Sequence, residues 1–181
     1  MLEGIADGLA AALGREVRPP TEADREMLFR LFALTRGAEF AGMGLPPAQL
    51  DQFLRTQFSF QHRQHLAACP PEGRLIIDGD GWLLLRAEQG FVHIVDICLP
   101  PDRQGQGLGT AVLGALYEWA GETGHRGLSL SVFEGNVGAA RLYRRLGFVE
   151  VGGSPPYRRM VWPAAGPGQT VAPEQNAWPQ G

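Results

Sequence analysis

The chain contains no lysine: all 16 basic residues among its 181 are arginine. Against 19 acidic residues they leave a formal net charge of −3, so no basic footprint argues for a nucleic-acid partner. Cysteine is nearly as scarce. Cys69 and Cys98 are the only two, too few and too isolated for a disulfide framework, and they read as free thiols. No Cys-x-x-Cys pair or His/Cys cluster points to a structural metal. No apolar run approaches the roughly 20 residues that a membrane-spanning helix needs. Glu3 and Asp7 stand where a secretory signal would carry its basic region. These absences set the expectation of a soluble, cytoplasmic protein without metal, nucleic acid or membrane partner.

The apolar fraction is 44% and the charged fraction 19%, an ordinary globular balance that can bury a core. Residues 1–14 read as a short helix or an ordered arm. Residues 16–18 read as a first short strand, stopped by Pro19 and Pro20. Thr21, followed by Glu22 and Asp24, looks like a helix start. Met27, Leu28, Leu31 and Phe32 follow at helical spacing. Residues 37–47, rich in Gly and Pro, read as a break, and a second helix is predicted over residues 48–66. The texture then changes to strands over 74–77, 82–86 and 91–99, with a turn at Asp78-Gly79-Asp80-Gly81. Later come a helix from the glycine-rich segment to Glu122, a strand over 128–133 and a helix over 137–146. Gly147 sits at the C-cap of that helix, and short strands over 148–151 and 158–162 follow. Residues 163–181 are dominated by Pro, Gly, Gln and Ala, so a disordered tail is expected there. The main domain is accordingly placed at 15–162, with 1–14 as an N-terminal arm, in a mixed α/β (α+β) plan.

The densest signal is Gln104-Gly105-Gln106-Gly107-Leu108-Gly109-Thr110, between a strand ended by prolines and an amphipathic helix. Glycines admit unusual dihedrals and close approach. The helix N-terminus adds exposed N–H groups and partial positive charge, a combination suited to a pyrophosphate. A P-loop is excluded because it needs a lysine. A dinucleotide fingerprint needs Gly-x-Gly-x-x-Gly near the first strand, and here the spacing is Gly-x-Gly-x-Gly past the midpoint. A helix start rich in glycine for packing alone stays open.

The segment Asn136-Val137-Gly138-Ala139-Ala140-Arg141-Leu142-Tyr143-Arg144-Arg145-Leu146-Gly147-Phe148 narrows the choice. Gln104, Gly107 and Gly109 fit Arg/Gln-x-x-Gly-x-Gly/Ala. Asn136, Ala139, Leu142, Tyr143, Gly147 and Phe148 fit Asn-x-x-Ala-x-x-Leu-Tyr-x-x-x-Gly-Phe. In this order and at this separation the two motifs make the chain resemble the GNAT superfamily of N-acetyltransferases, over roughly residues 17–162. The resemblance implies a GNAT fold: a mixed, mostly antiparallel sheet with flanking helices, splayed at a bulge between the fourth and fifth strands, just before Ile97, where acetyl-CoA enters as co-substrate. It implies that backbone at Ile97, Cys98 and Leu99 pairs with the pantetheine arm. It further implies that N–H groups of Gly105, Gln106, Gly107, Leu108, Gly109 and Thr110, with Gln104, hold the pyrophosphate. Asn136 and Tyr143 would also touch the cofactor. The missing lysines read first as a GC-rich coding bias; avoidance of self-acetylation in a protein that transfers acetyl groups is the alternative.

Tyr143 is the candidate general acid. It lies about two helical turns after Asn136 on the same face, able to protonate the departing thiolate; the alternative is a ring packed for its own sake. A backbone N–H near Leu99 is a candidate oxyanion donor. Asp96, which interrupts an apolar strand, is the candidate base, or else a carboxylate paired with arginine. Were Asp96 on the face opposite Val95 and Ile97, His93 would point away from it. Ser131 stands where some relatives carry a glutamate; Glu134, His93 and Glu88 are fallback bases. Gln57, Gln61, His62, Arg63, Gln64 and His65 either line an acceptor pocket or form a solvated helix face. The spacing of His62 and His65 also admits a metal pair. The acceptor is a small-molecule or protein amine, and a homodimer is compatible with the family. A catalytically silent acyl-CoA sensor of the same fold is the competing function, and a nucleotide-binding domain the third.

Overall fold

The computed structural model describes residues 2–40, 43–79 and 81–164. Its elements in chain order are α1 (Ile5–Leu13), β1 (Val17–Arg18), α2 (Arg25–Phe40), α3 (Pro47–Ala68), β2 (Arg74–Ile77), β3 (Gly81–Glu88), β4 (Phe91–Cys98), α4 (Leu108–Glu122), β5 (Gly127–Phe133), α5 (Val137–Leu146), β6 (Val149–Gly152) and β7 (Tyr157–Pro163). The strands form one sheet in the order β1-β2-β3-β4-β5-β7-β6. Every neighbouring pair is antiparallel except β4 and β5. This is the mixed, mostly antiparallel sheet expected from the sequence.

Side-chain alternation along the strands feeds two cores. On one face Leu75, Leu83, Leu85, Val92, Ile94 and Leu128 pack under α1, α4 and α5. On the other, Ile76, Trp82 and Leu84 pack under Leu28, Leu31, Leu54 and Phe58 of α2 and α3. The helices therefore flank the sheet on both sides, and β4 contributes to both cores.

Several boundaries differ from the sequence reading. Helix α2 continues through Gly37 to Phe40, so the break before α3 is shorter than the Gly/Pro content suggested; Leu31 and Phe32 carbonyls holding the Thr35 hydroxyl lie on its buried side. The start of α2 is held by Asp24, whose carboxylate accepts from the Thr21 amide (2.6 Å) and from the Arg18 guanidinium (2.7 and 2.8 Å). The N-terminal segment is not peripheral. Leu2, Ile5 and Leu9 belong to the larger core, and Gly8 lets α1 approach α4 so closely that a Cβ there would lie 2.7 Å from the Trp119 ring. At the other end Pro163, placed in the tail by composition, is the last residue of β7 opposite Gly127. The amide of Ala164 still donates to the Arg126 carbonyl at 2.8 Å. The rest of the expected tail, residues 165–181, lies outside the described residues.

If α1 is part of the core, Leu9→Ala should lower the unfolding free energy by about 2–5 kcal/mol, the range for a fully buried leucine. Urea denaturation measures this directly; a loss near zero would show that α1 merely rests on the domain.

Candidate active site

The site starts from a defect in the sheet. Strands β4 and β5 pair in parallel only at Val92, His93 and Ile94 opposite Leu128, Ser129 and Leu130. Beyond these positions β4 continues to Cys98, paired with β3 alone. Its β5-side backbone groups therefore open onto a gap. The register with β3 shifts between Leu84 and Leu85: Leu85 faces Ile94 while Leu84 faces Asp96, so Val95 is the extra residue of a bulge. The bulge overturns the simple alternation considered for this strand. Val95 packs into the core under α2 and α3, and Asp96, opposite the Leu84 of that same core, shares its side. His93 is also on that side of the sheet, not turned away from Asp96.

The chain then reaches the glycine-rich turn. Gly105 and Gly107 adopt φ of 72° and 86°, left-handed values that a side chain resists. Helix α4 begins at Leu108, and its first turn closes through the Ala111 amide donating to the Gly107 carbonyl at 2.9 Å. The amides of residues 108–110 precede that bond, so they have no acceptor within the helix and sit at its positive end. Apart from the adjoining residues, no heavy atom lies within 4 Å of where a Cβ on Gly105 or Gly107 would stand, so the turn presents open backbone.

A groove of about 740 Å³ runs along this turn. Gln104, Gly105, Gly107, Gly109 and Thr110 line one wall, and Ile97 and Leu99 the end at the gap. Asn136 and Tyr143 form part of the α5 wall. Gln106 and Leu108 instead face a second hollow toward α1. Gln104 braces the turn, its amide nitrogen donating to the Leu99 carbonyl at 2.8 Å. Asn136 caps α5 by accepting from the Ala139 amide at 3.1 Å, while facing the groove. Tyr143 packs its ring on Phe148, with centroids 5.5 Å apart.

On the other side of β4 lies a smaller pocket of about 270 Å³. It shares Ile97, Leu99, Gln104 and Asn136 with the groove, so the two cavities meet where the strands part. Asp96, Cys98, Arg36 and Trp82 line it, with Gln61, His62 and His65 from α3. The polar end of α3 thus splits: Gln61, His62 and His65 face the pocket, whereas Arg63 and Gln64 are exposed. Cys98, expected to serve the cofactor through its main chain, turns its thiol into this pocket toward the Thr35 hydroxyl, 3.6 Å away.

Residues 37–148 match the acetyltransferase (GNAT) family. The chain belongs to the GNAT acetyltransferase family. It is 36% identical over 94 residues to a mycothiol acetyltransferase of Clavibacter sepedonicus, covering 52% of this chain and 30% of that protein. It is also 36% identical over 69 residues to an uncharacterized N-acetyltransferase of Methanocaldococcus jannaschii, covering 38% of this chain and 30% of that one. The chain thus spans under a third of the length of these curated relatives. Among solved structures, the PaiA N-acetyltransferase of Thermoplasma acidophilum in complex with coenzyme A superposes with a TM-score of 0.61 at 16% identity, covering 81% of this chain and 96% of that one. At that identity the likeness is one of fold.

In this GNAT chain the electrostatics separate the candidates for proton transfer. Burial pushes the Asp96 carboxyl above the usual carboxylate range, although His65, Arg36 and the Ile97 amide pull it the other way. His65 is held below the ordinary imidazole value, again mainly by burial and against the attraction of Asp96. Burial also raises the Tyr143 phenol, and the Asp96 charge adds to the effect, so the phenol keeps its proton at neutral pH. The Cys98 thiol is raised by burial too, which keeps it protonated and a poor nucleophile. The fallback bases are committed elsewhere. Burial opposes the charge on Glu88, but Arg159, His93 and Arg86 more than compensate and hold it low; Arg159 lies at 2.9 Å and Arg86 at 3.1 Å. His93 is buried, 2.9 Å from the Ser129 hydroxyl, and desolvation lowers it to about 4. Glu134 is exposed and pairs with Arg158 at 3.5 Å. Ser131 is exposed. Among the described residues no group of three or more His, Cys, Asp or Glu side chains is placed to hold a metal, and no helix is long and apolar enough to cross a membrane.

Two of these placements escaped the sequence reading. His65 was one of six polar residues with nothing to rank it; its separation from Asp96 by 31 positions hides the meeting of helix and strand. Arg36 stood at the edge of the predicted break at residues 37–47, and no motif singled it out; α2 runs past it to Phe40.

A carboxyl whose folded-state value is raised works against folding at high pH. The unfolded chain ionises it first, so its contribution falls as pH rises from about 4 through the folded value. Asp96→Asn should therefore leave the melting temperature at pH 8 equal to or above that of the unaltered protein, with the difference vanishing below pH 4. Calorimetric scans across this range check it; a variant clearly less stable at pH 8 would mean that Asp96 is chiefly a structural ion-pair partner.

Proposed function

We propose that the protein is an N-acetyltransferase that moves the acetyl group of acetyl-CoA directly to a primary amine. The observation that carries this reading is the meeting of two cavities at the splayed strands. One is an elongated groove ending at a helix N-terminus, the other a compact pocket holding a carboxylate, and two substrates can approach each other through their junction.

The residues present fit coenzyme A. The open backbone at Gly105 and Gly107 leaves room for a diphosphate, and the amides of residues 108–110 supply donors at a positive helix end. The β4 edge beyond Ile94, unpaired with β5, offers main-chain partners for the amides of a pantetheine arm at Ile97 and Leu99. The co-substrate supplies a thioester whose carbonyl carbon accepts the amine. The protein supplies placement, which accounts for much of the rate in such bimolecular transfers.

The proton steps fall to two side chains on opposite sides of the junction. Asp96 takes a proton from the acceptor ammonium, leaving the nitrogen lone pair free to form the C–N bond. Its raised affinity for protons brings it closer to the working pH, which favours a base. A backbone N–H near Leu99 steadies the oxyanion. As the C–S bond breaks, Tyr143 gives its phenolic proton to the departing sulfur and regains one from solvent. His65, close enough for its charge to act on Asp96, is placed to pass the first proton outward.

Release of free CoA thiol with a panel of amines tests the reading. Tyr143→Phe should lower kcat by about 100-fold or more, the usual worth of a positioned acid, with the KM for acetyl-CoA little changed. Gly107→Val, which puts a β-branched side chain on a left-handed backbone facing the groove, should instead weaken CoA binding by at least about tenfold, in keeping with the cost of such strain. Tight acetyl-CoA binding without turnover of any amine would replace the enzyme with a sensor of acyl-CoA.

A further inference from the structure

The acceptor pocket has two unlike ends, and their chemistry narrows what enters. Phe58 of α3 stands at the centre of a wall of rings. Its centroid is 5.8 Å from those of Phe29 and Phe32 on α2, and it stacks on His62 at 5.1 Å with an interplanar angle of 23°. His62 in turn faces Trp82 of β3 at 6.2 Å. Phe32, Phe58, His62 and Trp82 all line the pocket, so the wall runs unbroken from one helix across the other to the sheet. Burial holds His62 below the ordinary imidazole value, and a neutral ring suits an apolar wall. The opposite end is polar. Asp96 is the one carboxylate among the described lining side chains, and the Arg36 charge acts on it.

Resting on the acetyl-transfer reading above, we propose that the acceptor is a compact primary monoamine whose nitrogen sits on a short chain from a single apolar body, of which a phenylalkylamine is the model. The ring wall takes the body by apolar contact and ring packing. The lone carboxylate attracts and then deprotonates one ammonium. A second cationic centre finds no second carboxylate among the described lining side chains, which disfavours polyamines and aminoglycosides. At about 270 Å³ the pocket lies just below the range of roughly 300–1,000 Å³ that houses drug-sized ligands, a size that suits a body of about one ring. The junction with the groove lies at the polar end, beside Ile97 and Leu99, which orients the nitrogen rather than the ring toward the thioester.

The test pairs turnover with binding on the full chain. Phenylethylamine, spermidine and a short peptide with a free N-terminal alanine are compared as acceptors by CoA release. Phenylethylamine binding to the CoA-loaded protein is measured separately by calorimetry. The expected result is a kcat/KM for phenylethylamine at least about tenfold above the other two, the discrimination a hydrophobic pocket gives. Phe32→Ala and His62→Ala, both at half-buried positions, should each raise its KM about tenfold by the same principle and leave the KM for acetyl-CoA unchanged. Preference for spermidine or the peptide overturns this inference and leaves acetyl transfer standing. Phenylethylamine that binds the loaded protein without turnover leaves the pocket assignment standing and removes acetyl transfer. Phenylethylamine that neither binds nor reacts overturns the inference outright.

Discussion

The whole site depends on one interrupted pairing. Parallel strands ordinarily run side by side with both faces covered, yet β4 and β5 share only three paired positions before they separate. The lost ladder leaves backbone donors and acceptors of β4 beyond Ile94 without a β5 partner. Buried groups in that state are costly, so the arrangement makes sense where a ligand completes what the neighbouring strand does not. The gap is held open from both sides. Antiparallel pairing with β3 carries β4 as far as Cys98 opposite Trp82, and antiparallel pairing with β7 carries β5 away to Phe133 opposite Tyr157.

The bulge at Val95 couples this gap to the chemistry. Without the extra residue, strand alternation would set Asp96 against the core beneath α4. With it, Asp96 comes to the side of α2 and α3, where His65 and Arg36 act on it. Its burial there works against stability and gives the carboxyl a stronger hold on a proton than an exposed one has. The groove on the far side has Tyr143 on its wall, and the two cavities touch at Ile97 and Leu99.

Much of this was legible in the residues. Glycine spacing at 105, 107 and 109 and the Asn136-to-Phe148 segment located the turn, the groove wall and Tyr143, because their constraints are local: a left-handed backbone, a helix start, a helical repeat. The strands from Arg74 onward were readable for the same reason. What was not legible depends on contacts distant in sequence. The resemblance implies a bulge before Ile97, but nothing in Val95 or Asp96 says which residue is extra or to which side the carboxylate turns, because a bulge is a mismatch between two strands. Gln104 matched a binding motif, but its bond to the Leu99 carbonyl required knowing how the turn folds back. The role of residues 2–9 in the core was hidden because a short apolar helix reads alike whether it docks or not; Gly8 mattered only once Trp119 was found against it. Gly37 suggested a break that the packing of α2 overrides.

A crystal structure of the protein grown with coenzyme A tests the central claim most directly. The account requires the diphosphate within hydrogen-bonding distance of the amides of residues 108–110, the pantetheine arm along β4 past the bulge, and the sulfur beside the Tyr143 hydroxyl at the mouth of the smaller pocket. Coenzyme bound elsewhere, or a diphosphate lodged in the hollow toward α1 with the gap between β4 and β5 left closed, would contradict it.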